Sequence, residues 1–340
     1  MSRLSTVLLA LVTLIISLAC VTLLGTPQPI SQPVIPNVPL QIATPTPENL
    51  SCPWITETII DFDSPPAIES NDFGNDEEET EESYIVTYII ENDELTNPDF
   101  PPISLDLQDE RENTAKHQEI WNYFSALFPF EYRPHLAEFT IMTDGESNIL
   151  AAVAQTYNDP ELWDLQVDIA DSDDYHSLSY TLVHEFAHLI TLSPSQVPPS
   201  LALFNNPEDN ELYLDEISAC STFHPGEGCS NVDSYLNQFY DRFWFDIYEE
   251  WNEINLEEDE DLYYEKLDDF YFKYEDQFVT DYAVTHPAED IAESFSFFVF
   301  AEKPDGDSIA DQKILFFYEY PELVEMRTQI LNNLCVEFPQ

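Results

Sequence analysis

YHSLSYTLVHEFAHLITL, residues 175–192, is the stretch on which the reading of the fold turns. Leu178, Leu182, Phe186 and Ile190 recur at helical spacing along it. The preceding Asp171-Ser172-Asp173-Asp174 supplies N-cap side chains, and Pro194 stops the helix on the far side. Inside the predicted helix, His184-Glu185-Phe186-Ala187-His188 is an H-E-x-x-H pattern. A helix turns about 100° per residue, so positions four apart lie roughly 40° apart on one face. Both imidazoles then reach one metal ion. Glu185 stands beside that ion, where a carboxylate takes a proton from metal-bound water. Two histidines and a glutamate buried on an apolar helix without a metal would be costly.

Upstream, DERENTAKHQEIWNYFSALF (109–128) carries Ile120, Phe124 and Leu127 at helical spacing. Three strand candidates follow: AEFTIMT (137–143) with the turn signal Asp144-Gly145 behind it, ILAAVAQTY (149–157), and LWDLQVDIA (162–170) with Leu165, Val167 and Ile169 alternating. The order helix, small sheet, buried helix predicts an α+β fold, a small mixed sheet packed on the helix that carries the motif. After Pro194 the chain reads as mainly helical, with a helix at about 287–301 opened by Pro287 and two more near 307–319 and 321–334.

A catalytic zinc needs a third protein ligand and an open fourth position. Thr191 and Pro194 stand where an extended motif would place Gly and a third His. A downstream carboxylate is therefore expected. Two pairs compete, each four residues apart: Glu211 and Asp215 in NELYLDEIS, and Glu289 and Glu293 in HPAEDIAESF. The second sits on the stronger helix, with Ile291, Phe295 and Phe298 on its apolar face. There Glu289 reaches the metal and Glu293, one turn on, orients a ligand imidazole. His224 is the fallback ligand, otherwise a surface residue, and His176 reads as a cap or surface residue.

HEFAH followed far downstream by YAVTHPAEDIAESF resembles the gluzincin metallopeptidases, and most of all the anthrax-toxin lethal-factor-like catalytic domains, with a Tyr, then a Glu, then a second Glu four residues on. The resemblance covers these two segments, with a longer spacer between them here. It implies a zincin-like catalytic domain, zinc on His184, His188 and Glu289, and Glu185 as general base. It also implies that Tyr282 donates a hydrogen bond to the reaction's oxyanion and that Glu293 supports a ligand from behind. The implied activity is hydrolysis of peptide bonds in a peptide or protein substrate, with an edge strand, ILAAVAQTY or LWDLQVDIA, pairing with extended substrate. The spacer contains a cysteine loop expected to form a lid or wall of the cleft.

The 340-residue chain has 67 acidic and 10 basic residues, a net charge of −57, which repels nucleic-acid phosphates and disfavours a nucleic-acid partner. Aromatics at 14% set it apart from disordered acidic chains, so most of it should fold with the charge outside. Residues 7–25 contain no charge and follow Arg3, which reads as an export segment. It either stays as a membrane anchor or is cleaved, and Leu18-Ala19-Cys20 resembles a lipoprotein cleavage site. Residues 1–25 are thus a signal or anchor, 26–50 a Pro/Thr-rich linker, 51–105 an acidic flank adding one strand (83–90), and 106–340 the catalytic domain. Four further cysteines fit an exported, disulfide-forming protein, with Cys220–Cys229 as a local pair and Cys52–Cys335 joining start to end. The competing reading from another class is a non-catalytic acidic cell-surface binding protein with a structural or absent metal. Acidic calcium capture finds no complete EF-hand loop, and EEDED (257–261) reads as a solvated face.

Overall fold

Alternating apolar and polar residues lay down a five-stranded sheet in the first half of the domain. The computed structural model describes residues 52–60, 82–145, 149–257 and 259–339. Its strands are β1 (Ser83–Glu91), β2 (Glu94–Asp99), β3 (Leu136–Thr143), β4 (Ala151–Thr156) and β5 (Asp159–Asp168), in the order β2-β1-β3-β5-β4. Among the described residues only the β3–β5 pairing is parallel; β1–β2, β1–β3 and β4–β5 are antiparallel. The fold is therefore α+β with a mixed sheet.

Residues before position 106 contribute to the sheet. β1 lies inside the sheet, between β2 and β3, so the predicted acidic flank supplies two strands and not one. Asn92 and Asp93 both have positive φ, the two-residue turn whose twist suits a hairpin. That turn is bolted to the core. The Trp121 indole donates to the Asp93 carbonyl at 3.0 Å, and buried Arg133 pairs with the Asp93 carboxylate.

Helix α1 (Pro53–Ile59) precedes β1, helices α2 (Gln108–Glu112) and α3 (Thr114–Leu127) lie between β2 and β3, and Asn113 caps α3 where one longer helix was expected. The H-E-x-x-H helix, α4 (Tyr175–Thr191), starts at Asp174, whose side chain accepts from His176 N–H and the Ser177 hydroxyl. It is buried almost all round, from Leu178 to Leu189, so it is a core helix and not an amphipathic surface one. Phe186 stacks on Phe128 at 4.3 Å, and Ser179 meets Tyr123 at 2.6 Å.

Beyond α4 come α5 (Leu201–Phe204), α6 (Asn210–Ala219), α7 (Tyr235–Phe243), α8 (Tyr248–Ile254), α9 (Glu260–Lys273), α10 (Pro287–Phe300), α11 (Ile309–Phe317) and α12 (Pro321–Glu337). α10 packs directly on α4, and α12 returns to α3. Disulfides join Cys52 to Cys335 and Cys220 to Cys229, the pairing the spacing suggested. The first ties the N-terminus of α1 to α12 across 283 residues, a loop whose closure removes much unfolded-chain entropy. The export segment, the linker and most of the acidic run 76–82 lie outside the described residues. Among the described residues no helix is long and apolar enough to cross a membrane.

Candidate metal centre

Two buried helices meet where the polar side chains converge. α4 presents His184 and His188 one turn apart, and the first turn of α10 presents Glu289 to both. Pro287 at the first turn and the His286 side chain, accepting from Ala288 N–H at 3.1 Å, fix where α10 begins. His184 Nε2 and His188 Nε2 are 3.1 Å apart, and Glu289 Oε2 lies 3.0 Å from the first and 3.3 Å from the second. Ligands bound at about 2.0 Å around a tetrahedral ion stand roughly 3.3 Å from one another. The three atoms thus have the spacing of three corners of such a site, and the group is able to bind a metal ion.

The support behind these atoms matters as much as the atoms. His184 Nδ1 donates to Glu293 Oε1 at 2.7 Å, which turns Nε2 toward Glu289 and His188. Glu293 is itself held at its other oxygen by the Tyr180 hydroxyl at 2.9 Å and the Thr280 hydroxyl at 2.6 Å. The Thr280 hydroxyl also accepts from Ala283 N–H at 3.2 Å, tying the turn that carries Tyr282 to the same carboxylate. Behind α10, Asp290 is buried against Lys313 at 2.6 Å and accepts from the Trp244 indole at 2.7 Å.

Protonation follows from burial and charge. Burial alone would push His184 down, but its bonds to Glu289 and Glu293 hold the ring well above the usual imidazole range. Burial alone would push Glu289 up, but the two imidazoles hold it well below the usual carboxylate range. Both directions describe a pocket that binds positive charge, a proton or a metal in competition. Glu185 is pushed up to about 7 by burial, opposed by the nearby histidines and by a backbone hydrogen bond from Val153 of β4. Burial, then Glu289 and Glu185, raise the Tyr282 phenol well above its ordinary value, so it stays a donor, and its hydroxyl bonds Glu289. The Tyr282 ring lies 5.9 Å from that of His184.

The structure brings together every residue picked out on α4 and α10, together with Tyr282. It leaves Glu211 and Asp215 exposed on α6, outside the group. His224 is outside it as well, and it is a buried residue, not the surface residue expected, with Nδ1 accepting from Gly226 N–H at 3.3 Å. His176 is exposed, as a cap-region residue should be.

Three contributors were not anticipated. Tyr180 and Thr280 grip Glu293, and one helical turn from His184 back to Tyr180 was the signal available. Glu227, in the Cys220–Cys229 loop, is close enough for its carboxylate to feel His188 and Glu289. Gly228 lets that loop approach, since a Cβ there would meet the Pro198 carbonyl at 2.3 Å, and Ser200 N–H donates to the Glu227 carbonyl at 2.7 Å. The loop's Phe223 stacks on Tyr240 at 4.5 Å and contacts His286 at 5.9 Å, so the insert walls one side of the centre.

No protein-family model, curated protein or solved structure matches the chain.

Proposed function

We propose that the chain is an exported zinc metallopeptidase of the gluzincin type, zincin-like in fold and similar to lethal-factor-like catalytic domains. The observation that carries the reading is the meeting of His184 Nε2, His188 Nε2 and Glu289 Oε2 at 3.0–3.3 Å, with Glu185 beside them. Two imidazoles and one carboxylate are a zinc donor set, too nitrogen-rich for calcium or magnesium. Zinc on these three residues supplies a Lewis acid that polarises a carbonyl and acidifies a water.

The chain's own groups do the rest. Glu185, poised between its charged and neutral forms near pH 7, accepts the proton of the attacking water as a carboxylate and delivers it to the leaving amine. Its bond from Val153 N–H aims the carboxylate and ties it to β4. The Tyr282 phenol, kept protonated by burial, donates to the oxyanion that forms on the scissile carbonyl. Glu293, with Tyr180 and Thr280, keeps His184 in one tautomer and one rotamer. β4 is the terminal strand of the sheet and lies against α4, whereas β5 is interior. β4 is thus the edge that pairs with an extended peptide.

Hydrolysis of a mixed peptide library by the zinc-loaded full chain, wild type and Glu185→Gln, tests this. The variant should keep its zinc and lose roughly 10²–10⁴-fold in turnover. Equal turnover in the two removes Glu185 from the chemistry. A zinc-loaded wild type that cleaves nothing points to the non-catalytic surface protein.

A further inference from the structure

A second group of ligating side chains gathers at the end of the sheet. Asp144 follows β3, Asp168 ends β5, and Asp171 lies in the connection from β5 to α4. Because β3 and β5 are parallel neighbours, their carboxyl ends bring Asp144 and Asp168 together although β4 intervenes in sequence. One carboxylate oxygen from each of the three aspartates lies within 4.8 Å of the others. That is about twice a Ca–O bond of ~2.4 Å, the widest separation two oxygens take across one calcium ion.

Burial decides what such a cluster needs. Asp144 is 5% exposed and Asp168 is fully buried, and neither has an ion pair among the described residues. Asp168 accepts from Asp144 N–H at 2.9 Å and Ala170 N–H at 2.6 Å, and Asp144 Oδ2 accepts from Ile149 N–H at 3.1 Å. Asp144 Oδ1 has no partner among the described residues. Two buried carboxylates side by side, one with an orphaned oxygen and no cationic side chain, cost several kcal/mol unless a cation, or a proton shared between them, joins them. An all-oxygen donor set selects a hard ion.

We infer that Asp144, Asp168 and Asp171 form a binding site for a divalent calcium-class cation, separate from the centre on α4 and α10. The ion ties the ends of β3 and β5 to the approach of α4. It also secures the start of β4, since Ile149 N–H bonds Asp144 and Asp168 N–H donates to the Leu150 carbonyl at 2.8 Å.

Calcium titration of the zinc-loaded, calcium-stripped full chain, by calorimetry and thermal unfolding, tests the site. High salt screens the general acidity. Wild type should take up one equivalent and, at calcium about 100 times Kd, gain roughly 5–10 °C in Tm, with magnesium weaker. Asp144→Asn and Asp168→Asn should lose that shift while starting from an equal or higher calcium-free Tm, because each removes a buried repulsion. Asp171→Ala, at a less buried position, should weaken calcium at least about tenfold, and Asp173→Asn, the exposed neighbour, should respond as wild type. Glu289→Ala should keep the response, which separates the site from the zinc centre. Absence of the saturable equivalent in wild type, or an undiminished response in Asp144→Asn and Asp171→Ala, overturns the inference and leaves a shared proton between Asp144 and Asp168.

Discussion

His184, His188 and Glu289 stand on two helices, whereas Asp144, Asp168 and Asp171 hang from strand ends and a connection. In the helical group each position follows from a fixed rise and turn, and a further layer of side chains, Glu293, Tyr180 and Thr280, holds one imidazole from behind. In the sheet-end group the support is backbone N–H from Asp144, Ile149 and Ala170. The difference suits the two ions proposed. A nitrogen-rich tripod with nearly equal edges fits a small ion of fixed geometry, and an oxygen cluster on loops fits a larger ion that tolerates irregular coordination.

Removing a corner of the tripod has the largest effect. Glu289→Ala should release zinc by orders of magnitude in affinity and abolish hydrolysis with it, since two imidazoles alone hold the ion poorly. Glu211→Ala should retain one zinc per chain, because Glu211 is exposed on α6. Metal analysis of the two purified variants decides between them. Zinc loss from Glu211→Ala, or full zinc in Glu289→Ala, would transfer the third ligand to the insert.

A smaller effect tests the layer behind the tripod. Glu293→Gln keeps the size of the side chain but weakens its bond from His184 Nδ1. Zinc affinity or turnover should fall about 10–100-fold, with restoration in Glu293→Asp only where the shorter chain still reaches. Competition with a chelating dye measures the affinity. An unchanged zinc affinity and turnover in Glu293→Gln would mean that α10 packing alone orients His184.

What could be read in advance follows the same division. Spacing of four on a helix is a local property, so His184 and His188 could be picked out without knowing how α4 meets α10, whereas the same spacing left Glu289 and Glu293 in competition with Glu211 and Asp215. Hydrophobic alternation likewise located β3, β4 and β5 to within a few residues. Tyr180 was legible only as a helix position, since its partner is Glu293, far along the chain. The hairpin of β1 and β2 was half hidden. Its turn uses Asn92-Asp93 in place of a glycine pair, and its acidic surroundings read as flank, while its anchors, Trp121 and Arg133, lie elsewhere in sequence. The Asp144–Asp168 meeting depends on β5 lying between β3 and β4, an order that no local pattern carries.

Asp164 shows what a buried carboxylate does outside either cluster. It lies on β5, buried, and its Oδ2 accepts from the Thr140 hydroxyl at 2.8 Å and the Gln166 amide at 3.1 Å, while Oδ1 has no partner among the described residues. Glu138 adds to the repulsion on it, but among the described residues Asp164 belongs to no group of three ligating side chains, so a proton is what settles the charge. Burial pushes its carboxyl up from 3.8 to about 7. Between those values the folded chain holds the proton that the unfolded chain has released, so this group's contribution to stability is full below about pH 4, declines as pH rises to about 7, and stays low above. Asp164→Asn, neutral throughout, should therefore gain at most about 4 kcal/mol over wild type at pH 8 and almost nothing at pH 4. Denaturant unfolding at the two pH values, with calcium saturating so that Asp168 stays fixed, measures the difference. If the variant and wild type ran parallel across that range, Asp164 would have to be ionised inside the fold, and the lack of a ligating cluster around it would no longer explain why it takes a proton where Asp168 is proposed to take a metal.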